Sequence, residues 1–148
     1  MYKNILVAID DSETSRCALK EALHIARSSN AKLYITHVAD ETLLSMHSRT
    51  VSTTLDFDQA VSAIADAGRK LLDEAMQSAA GVNAEPLLLE ALNRRISETL
   101  ADKAKELNVD LIIIGRHGKR GLATLILGSV AEQLARIAHT SVLLVRKH

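Results

Sequence analysis

The sequence predicts a doubly wound α/β fold: a parallel five-stranded sheet of Rossmann-like architecture with helices on both faces. Three observations carry that expectation. Short, continuously apolar runs rich in Val, Ile and Leu recur along the chain, as strands buried on both faces require. Amphipathic helical stretches separate them, and strands alternating with helices imply parallel pairing through right-handed crossovers. The 148 residues suit one domain, expected to span 1–148, with no internal repeat, low-complexity tract or linker.

The elements follow in order. "NILVAID" (4–10) is the first strand. Ser12 offers an N-cap, and Leu19, Leu23 and Ala26, flanked by Ala18, Ala22 and Ile25, form an apolar stripe on a helix over about 12–29. "KLYITHV" (32–38) is the second strand. Residues 39–54 are polar, rich in Ser and Thr and without a period, and read as a long loop of the kind that serves as a lid or stays mobile. A helix over about 55–80 carries Val61, Ile64, Ala65, Leu72, Ala75 and Ala79 on one side, with Gly81 as its C-cap. "AEPLLLE" (84–90) is the third strand, and Pro86 near its start marks an edge position. Ile96, Leu100, Ala104 and Leu107 mark the third helix, and "DLIIIG" (110–115) the fourth strand. A last helix over about 129–138 and the strand "SVLLVR" (141–146) complete the alternation.

Composition excludes several classes of function. Eighteen basic and eighteen acidic residues leave a formal net charge of +0, so no global field favours nucleic acid or an anionic membrane. Tyr2, Tyr34 and Phe57 are the only aromatic residues, too few for base-stacking platforms. The single cysteine, Cys17, forms no internal disulfide and reads as a small helix side chain rather than a nucleophile. No secretory segment is recognisable, and no apolar run approaches the roughly 20 residues of a spanning helix, so a cytoplasmic location is expected. The histidines show no metal-ligand spacing, and His37 at the end of the second strand reads as packed or hydrogen-bonded.

The chemistry concentrates in "GRHGKRGLATLILGS" (115–129). Four of the six glycines, Gly115, Gly118, Gly121 and Gly128, fall here with Arg116, His117, Lys119 and Arg120 and no acid. Gly115 ends a strand and Gly128-Ser129 opens a helix, so the segment lies on the side of the sheet where such folds bind ligands. Glycines let backbone amides approach an anion, and the following helix N-terminus adds unpaired amides and partial positive charge. Ser129 can cap that helix or donate its hydroxyl to a phosphate oxygen. A strand terminator at Gly115 and a helix start at Gly128 account for two of the glycines without any ligand. The segment is neither a Walker A loop, since Gly128 is followed by Ser129-Val130, nor the G-x-G-x-x-G fingerprint. Asp10, at the carboxyl end of the first strand, lines the cleft in this architecture, or serves as a turn aspartate beside Ser12.

Gly115-x-x-Gly118, nine residues, then Gly128-Ser129 resembles the G-2x-G-9x-G-[S/T] signature of the ATP-binding branch of the universal stress protein family. "KNILVAIDDSETS", "DLIIIGRHG" and "LILGSVAEQLARIAHTSVLLVR" are similar to that family as well, so the resemblance covers residues 3–146. It implies an adenine-nucleotide site of the adenine-nucleotide alpha hydrolase-like fold, a homodimer, and a role in stress response or signalling. By position, Ile9 would line the base pocket, Asp10 would contact the ribose or a phosphate-bound metal, and Val38 would meet the adenine. Gly115, Gly118, Gly128 and Ser129 would hold phosphates, Val130 would add an amide, and Arg116 and His117 fall within the motif. ATP with Mg²⁺ is the implied ligand, with AMP or a cyclic nucleotide the alternative; Asp10 or Asp11 would reach the metal through Mg-ATP. Three departures stand out: Asp11 replaces a frequent glycine, "HTSVLL" lacks a proline before the last strand, and Glu90-Ala91 lacks a glycine after the third.

In a sheet ordered 3-2-1-4-5 the fifth strand lies at an edge, and its apolar sequence predicts a symmetric dimer through about 141–146. The chain reads as a binding protein rather than an enzyme, with a protein partner as yet unidentified. It has no Walker B context, positioned base or arginine finger, although slow hydrolysis of ATP stays compatible with the site. "DDSETS" after the first strand is unlike the loops of nucleotidyl transferases and ATP pyrophosphatases. Glu90 stands where a receiver domain would place its acceptor aspartate. An interaction module without nucleotide would not need the glycines.

Overall fold

The computed structural model describes residues 1–41, 54–117 and 127–147, with backbone alone at 54–56. Its elements run β1 (Asn4–Ala8), α1 (Glu13–Ser29), β2 (Lys32–Ala39), α2 (Thr54–Ser78), β3 (Ala84–Glu90), α3 (Ile96–Glu106), β4 (Leu111–Gly115), α4 (Ser129–Ile137) and β5 (Ser141–Val145). All strands pair in parallel, in the order β3-β2-β1-β4-β5.

Strand alternation sorts the core into two layers. Ile5 and Val7, Leu33 and Ile35, and Leu111 and Ile113 point to one face, where Ala18, Ala22, Leu23 and Ala26 of α1 and Leu72, Ala75 and Ala79 of α2 cover them. Leu6, Tyr34, Val38, Ile112 and Ile114 point to the other, under Leu100, Ala101 and Ala104 of α3 and Ala131 and Leu134 of α4. β4, flanked on both sides and covered on both faces, is buried at all five positions, which is why its sequence is apolar without alternation.

Local chemistry sets the helix ends. Ser12 caps α1 by accepting a hydrogen bond from the Ser15 amide. Asn30 closes it in the left-handed region at φ 50°, its N–H directed at Ala26 O and Arg27 O. α2 ends at Ser78, and Gly81 takes φ 78° three residues later, in the turn before β3 rather than at the cap. Gly128 is the N-cap of α4, so Ser129 is its first helical residue and does not cap it. Among the described residues no helix is long and apolar enough to cross a membrane.

Candidate functional site

The chain reverses its direction of travel across the sheet between β1 and β4. The two crossovers from β1 lead outward through β2 to β3, and the third returns to the far side of β1. A cavity of about 420 Å³ opens there, beyond the carboxyl ends of the strands. That is where ligands enter sheets of this kind, and the size suits a small organic ligand. β1 and the turn after it contribute Ala8, Ile9 and Asp10, and β2 contributes Thr36, His37 and Val38, with Asp40 just beyond. Ile96 and Leu100 come from α3, Ile114 and Gly115 from β4, and Gly128 to Ala131 from the start of α4.

The floor between β1 and α1 is an interlocked turn. The Asp10 amide donates to Ser15 Oγ at 2.8 Å, and the Ser12 amide donates to Asp10 Oδ1 at 2.9 Å. Ser12 Oγ then accepts from the Ser15 amide at 3.2 Å. Asp10 therefore does both things its position suggested: it lines the cavity and forms the turn that starts α1. Ile9 is held on the β2 side. Its amide donates to Thr36 O at 2.8 Å, and its carbonyl lies 2.8 Å from His37 Nδ1. A carbonyl only accepts, so Nδ1–H is the donor in this contact.

At the other end, β4 runs into the start of α4. The Arg116 amide donates to Val145 O at 2.6 Å, and the Gly128 amide donates to Arg116 O at 2.8 Å. Thr14 Oγ1 donates to the His117 carbonyl, tying α1 to the same corner. Gly128, at φ −61° and ψ 147°, makes no side-chain cap, and the Glu132 amide closes the first helical bond to Gly128 O. Helix geometry leaves the amides of Ser129, Val130 and Ala131 without intrahelical acceptors, at the positive end of the helix dipole. The cavity thus has two unlike ends. One presents a helix N-terminus, the arrangement that holds anions. The other, between β2 and α3, is walled by Val38, Ile96 and Leu100.

Of the residues singled out from the sequence, Ile9, Asp10, Val38, Gly115, His117, Gly128, Ser129 and Val130 converge on this cavity. Arg116 does not line it; its backbone joins β4 to β5 and to the start of α4. Asp11 does not line it either: its carboxylate is exposed, 3.7 Å from the Arg16 guanidinium. Gly118, Lys119, Arg120 and most of the 39–54 loop lie outside the described residues. Ser12, Ser15, Thr36, His37, Asp40, Ile96 and Leu100 were not anticipated as lining residues. Their signal is positional: all but Leu100, in the second turn of α3, stand toward the carboxyl end of a strand or at the start of a helix, the edge of the sheet where the site forms.

The model of the universal stress protein family matches residues 1–146 of the chain. Universal stress protein YxiE of Bacillus subtilis is 34% identical over 151 residues, covering 99% of this chain and 100% of that protein. Among solved structures, universal stress protein UspA from Lactobacillus plantarum superposes with a TM-score of 0.82 at 23% identity, covering 98% of each chain. A universal stress protein in complex with cAMP superposes with a TM-score of 0.70 at 27% identity, covering 97% of each chain.

Proposed function

The chain belongs to the universal stress protein family, and on that premise we propose that its cavity binds an adenine nucleotide, ATP with Mg²⁺, as a dimeric module of stress response or signalling. The observation that carries the reading is the pairing of unlike ends in one cavity. A nucleotide is itself a flat, weakly polar ring joined through a sugar to anions. The apolar end at Val38, Ile96 and Leu100 suits the ring, and the start of α4 suits the phosphates. Between them, Asp10 is placed for the ribose or for a phosphate-bound Mg²⁺; a hard oxygen donor fits that ion, which keeps most of its own waters. The complexed relative supports an adenine ring in this fold, and it favours a cyclic nucleotide as the second reading.

The site is read as a binding site and not a catalytic one. His37 and Asp10 already hold local structure through Ile9 O and the Ser12 amide, which are scaffold contacts rather than those of a base aimed at a water. Binding, followed by dimer-dependent presentation to a protein partner, is the proposed output.

Isothermal titration of nucleotide-free protein with Mg-ATP, AMP and cyclic AMP tests the reading. Micromolar binding of ATP that weakens as phosphates are removed is expected. Tighter binding of AMP or cyclic AMP moves the assignment to the second reading, and absence of binding by all three ends both. Gly128→Val should weaken ATP by at least about tenfold with the fold intact, because any residue adopts the Gly128 backbone conformation while the added side chain stands where phosphate must approach.

A further inference from the structure

We propose that Thr36 is the residue through which this cavity hydrogen-bonds the base, resting on the adenine-nucleotide reading above. Thr36 lies in β2 opposite Ala8, and Ala8 lies in β1 opposite Ile114 of β4. The three form the row nearest the strand ends on the face that α3 and α4 cover. Thr36 is wholly buried, yet it lines the cavity. Its Oγ1 has no hydrogen-bond partner, the one buried side-chain polar atom in that condition among the described residues.

A buried hydroxyl without a partner is destabilising, and native proteins rarely keep one without a use. The side chains around it cannot supply a partner: Ala8 and Ile114 share its row, and Ile96, Leu100 and Val38 stand nearby in the cavity wall. An occupant of the cavity can. β2 is two strands away from β4, about 10 Å across the sheet, so an occupant whose anion sits at the start of α4 brings its opposite end to Thr36. A phosphate would not be placed among these apolar side chains. A heteroaromatic ring would, and its edge carries the nitrogen donors and acceptors that a hydroxyl, able to act in either sense, can meet. Ala8, with only a methyl group, leaves the middle of the row open to the sugar.

The test is titration of the full chain with Mg-ATP beside Thr36→Val and Thr36→Ser. Val keeps the shape and removes the hydroxyl; Ser keeps the hydroxyl. Thr36→Val should bind ATP about five- to tenfold more weakly, and Thr36→Ser within about twofold of wild type, the scale of one hydrogen bond. Nucleotide-free Thr36→Val should melt at or above the wild-type temperature, since it loses an unpaired polar group. ATP binding by Thr36→Val equal to wild type overturns the proposal. So does an equal loss in both variants, which would assign the effect to packing of the methyl group. A wild-type chain that binds no adenine nucleotide brings down the reading of the site itself, and that result is visible before any variant is made.

Discussion

A Cβ built on Gly115 would stand 2.9 Å from Thr14 Oγ1, 3.0 Å from the Thr14 carbonyl carbon and 3.1 Å from the Ser15 amide nitrogen. Two of those neighbours are backbone, so the first turn of α1 would have to move. The absence of a side chain here is what lets α1 start against the end of β4, and with it the Asp10–Ser12–Ser15 turn. Gly115→Ala should therefore lower stability by about 1–3 kcal/mol, the range for overpacking a tight contact. Urea denaturation checks it, and an unchanged midpoint would show that α1 does not press on β4. The sequence marks Gly115 as a residue with a task, but glycine spacing alone does not show that the first turn of α1 also needs the room. Thr36 was hidden for a related reason. In a strand its β-branched side chain is unremarkable, and only the register with Ala8 and Ile114 shows that its hydroxyl has nothing to meet.

The two edge strands differ as elements. β3 carries Pro86, which removes a donor, and Glu85, which pairs with Lys32 at 2.8 Å; both Glu85 and Pro86 are exposed. Such features blunt an edge. β5 reads SVLLV, with no proline or charge, and Leu144 is 36% exposed. An edge of that kind pairs with another chain, which supports the proposed dimer through 141–146. Leu144→Lys should give a monomer by size-exclusion chromatography with light scattering at concentrations where wild type is a dimer, with the circular dichroism of the fold retained. A wild type that elutes as a monomer at micromolar concentration would remove the dimer from the reading. At this scale the sequence was most legible, since apolar period and capping chemistry place every described element within about two residues at each end. What differs is the cap of α2: Gly81 suggested one, yet the helix stops at Ser78 and Gly81 lies in the turn beyond it, because a left-handed glycine serves a following turn as well as a helix end.

Across the whole molecule, alternation of strands and helices was enough for a parallel, doubly wound sheet, and the order 3-2-1-4-5 stands as expected. The cavity was legible only in part, because it is assembled from residues far apart in sequence, such as Thr36 and Leu100, that no local pattern links. Ligand binding to such an assembled site should stabilise the whole fold. Mg-ATP at 100 times its dissociation constant adds about 2.7 kcal/mol, which for a chain of this size raises the melting temperature by about 5–10 °C; no shift in a thermal scan would contradict the proposed binding. One connection has a thermodynamic consequence. Arg116 is bonded through its amide to Val145 at the end of β5 and through its carbonyl to Gly128 at the start of α4. The edge that would meet a second subunit and the helix that would meet a phosphate are thus one peptide unit apart. If nucleotide shifts that unit, free energy is shared between the two events, and linkage makes the sharing reciprocal: the factor by which ATP tightens or loosens the dimer is the factor by which dimerisation changes affinity for ATP. Each subunit would then report its occupancy in its tendency to self-associate, and protein concentration would become an input to nucleotide sensing.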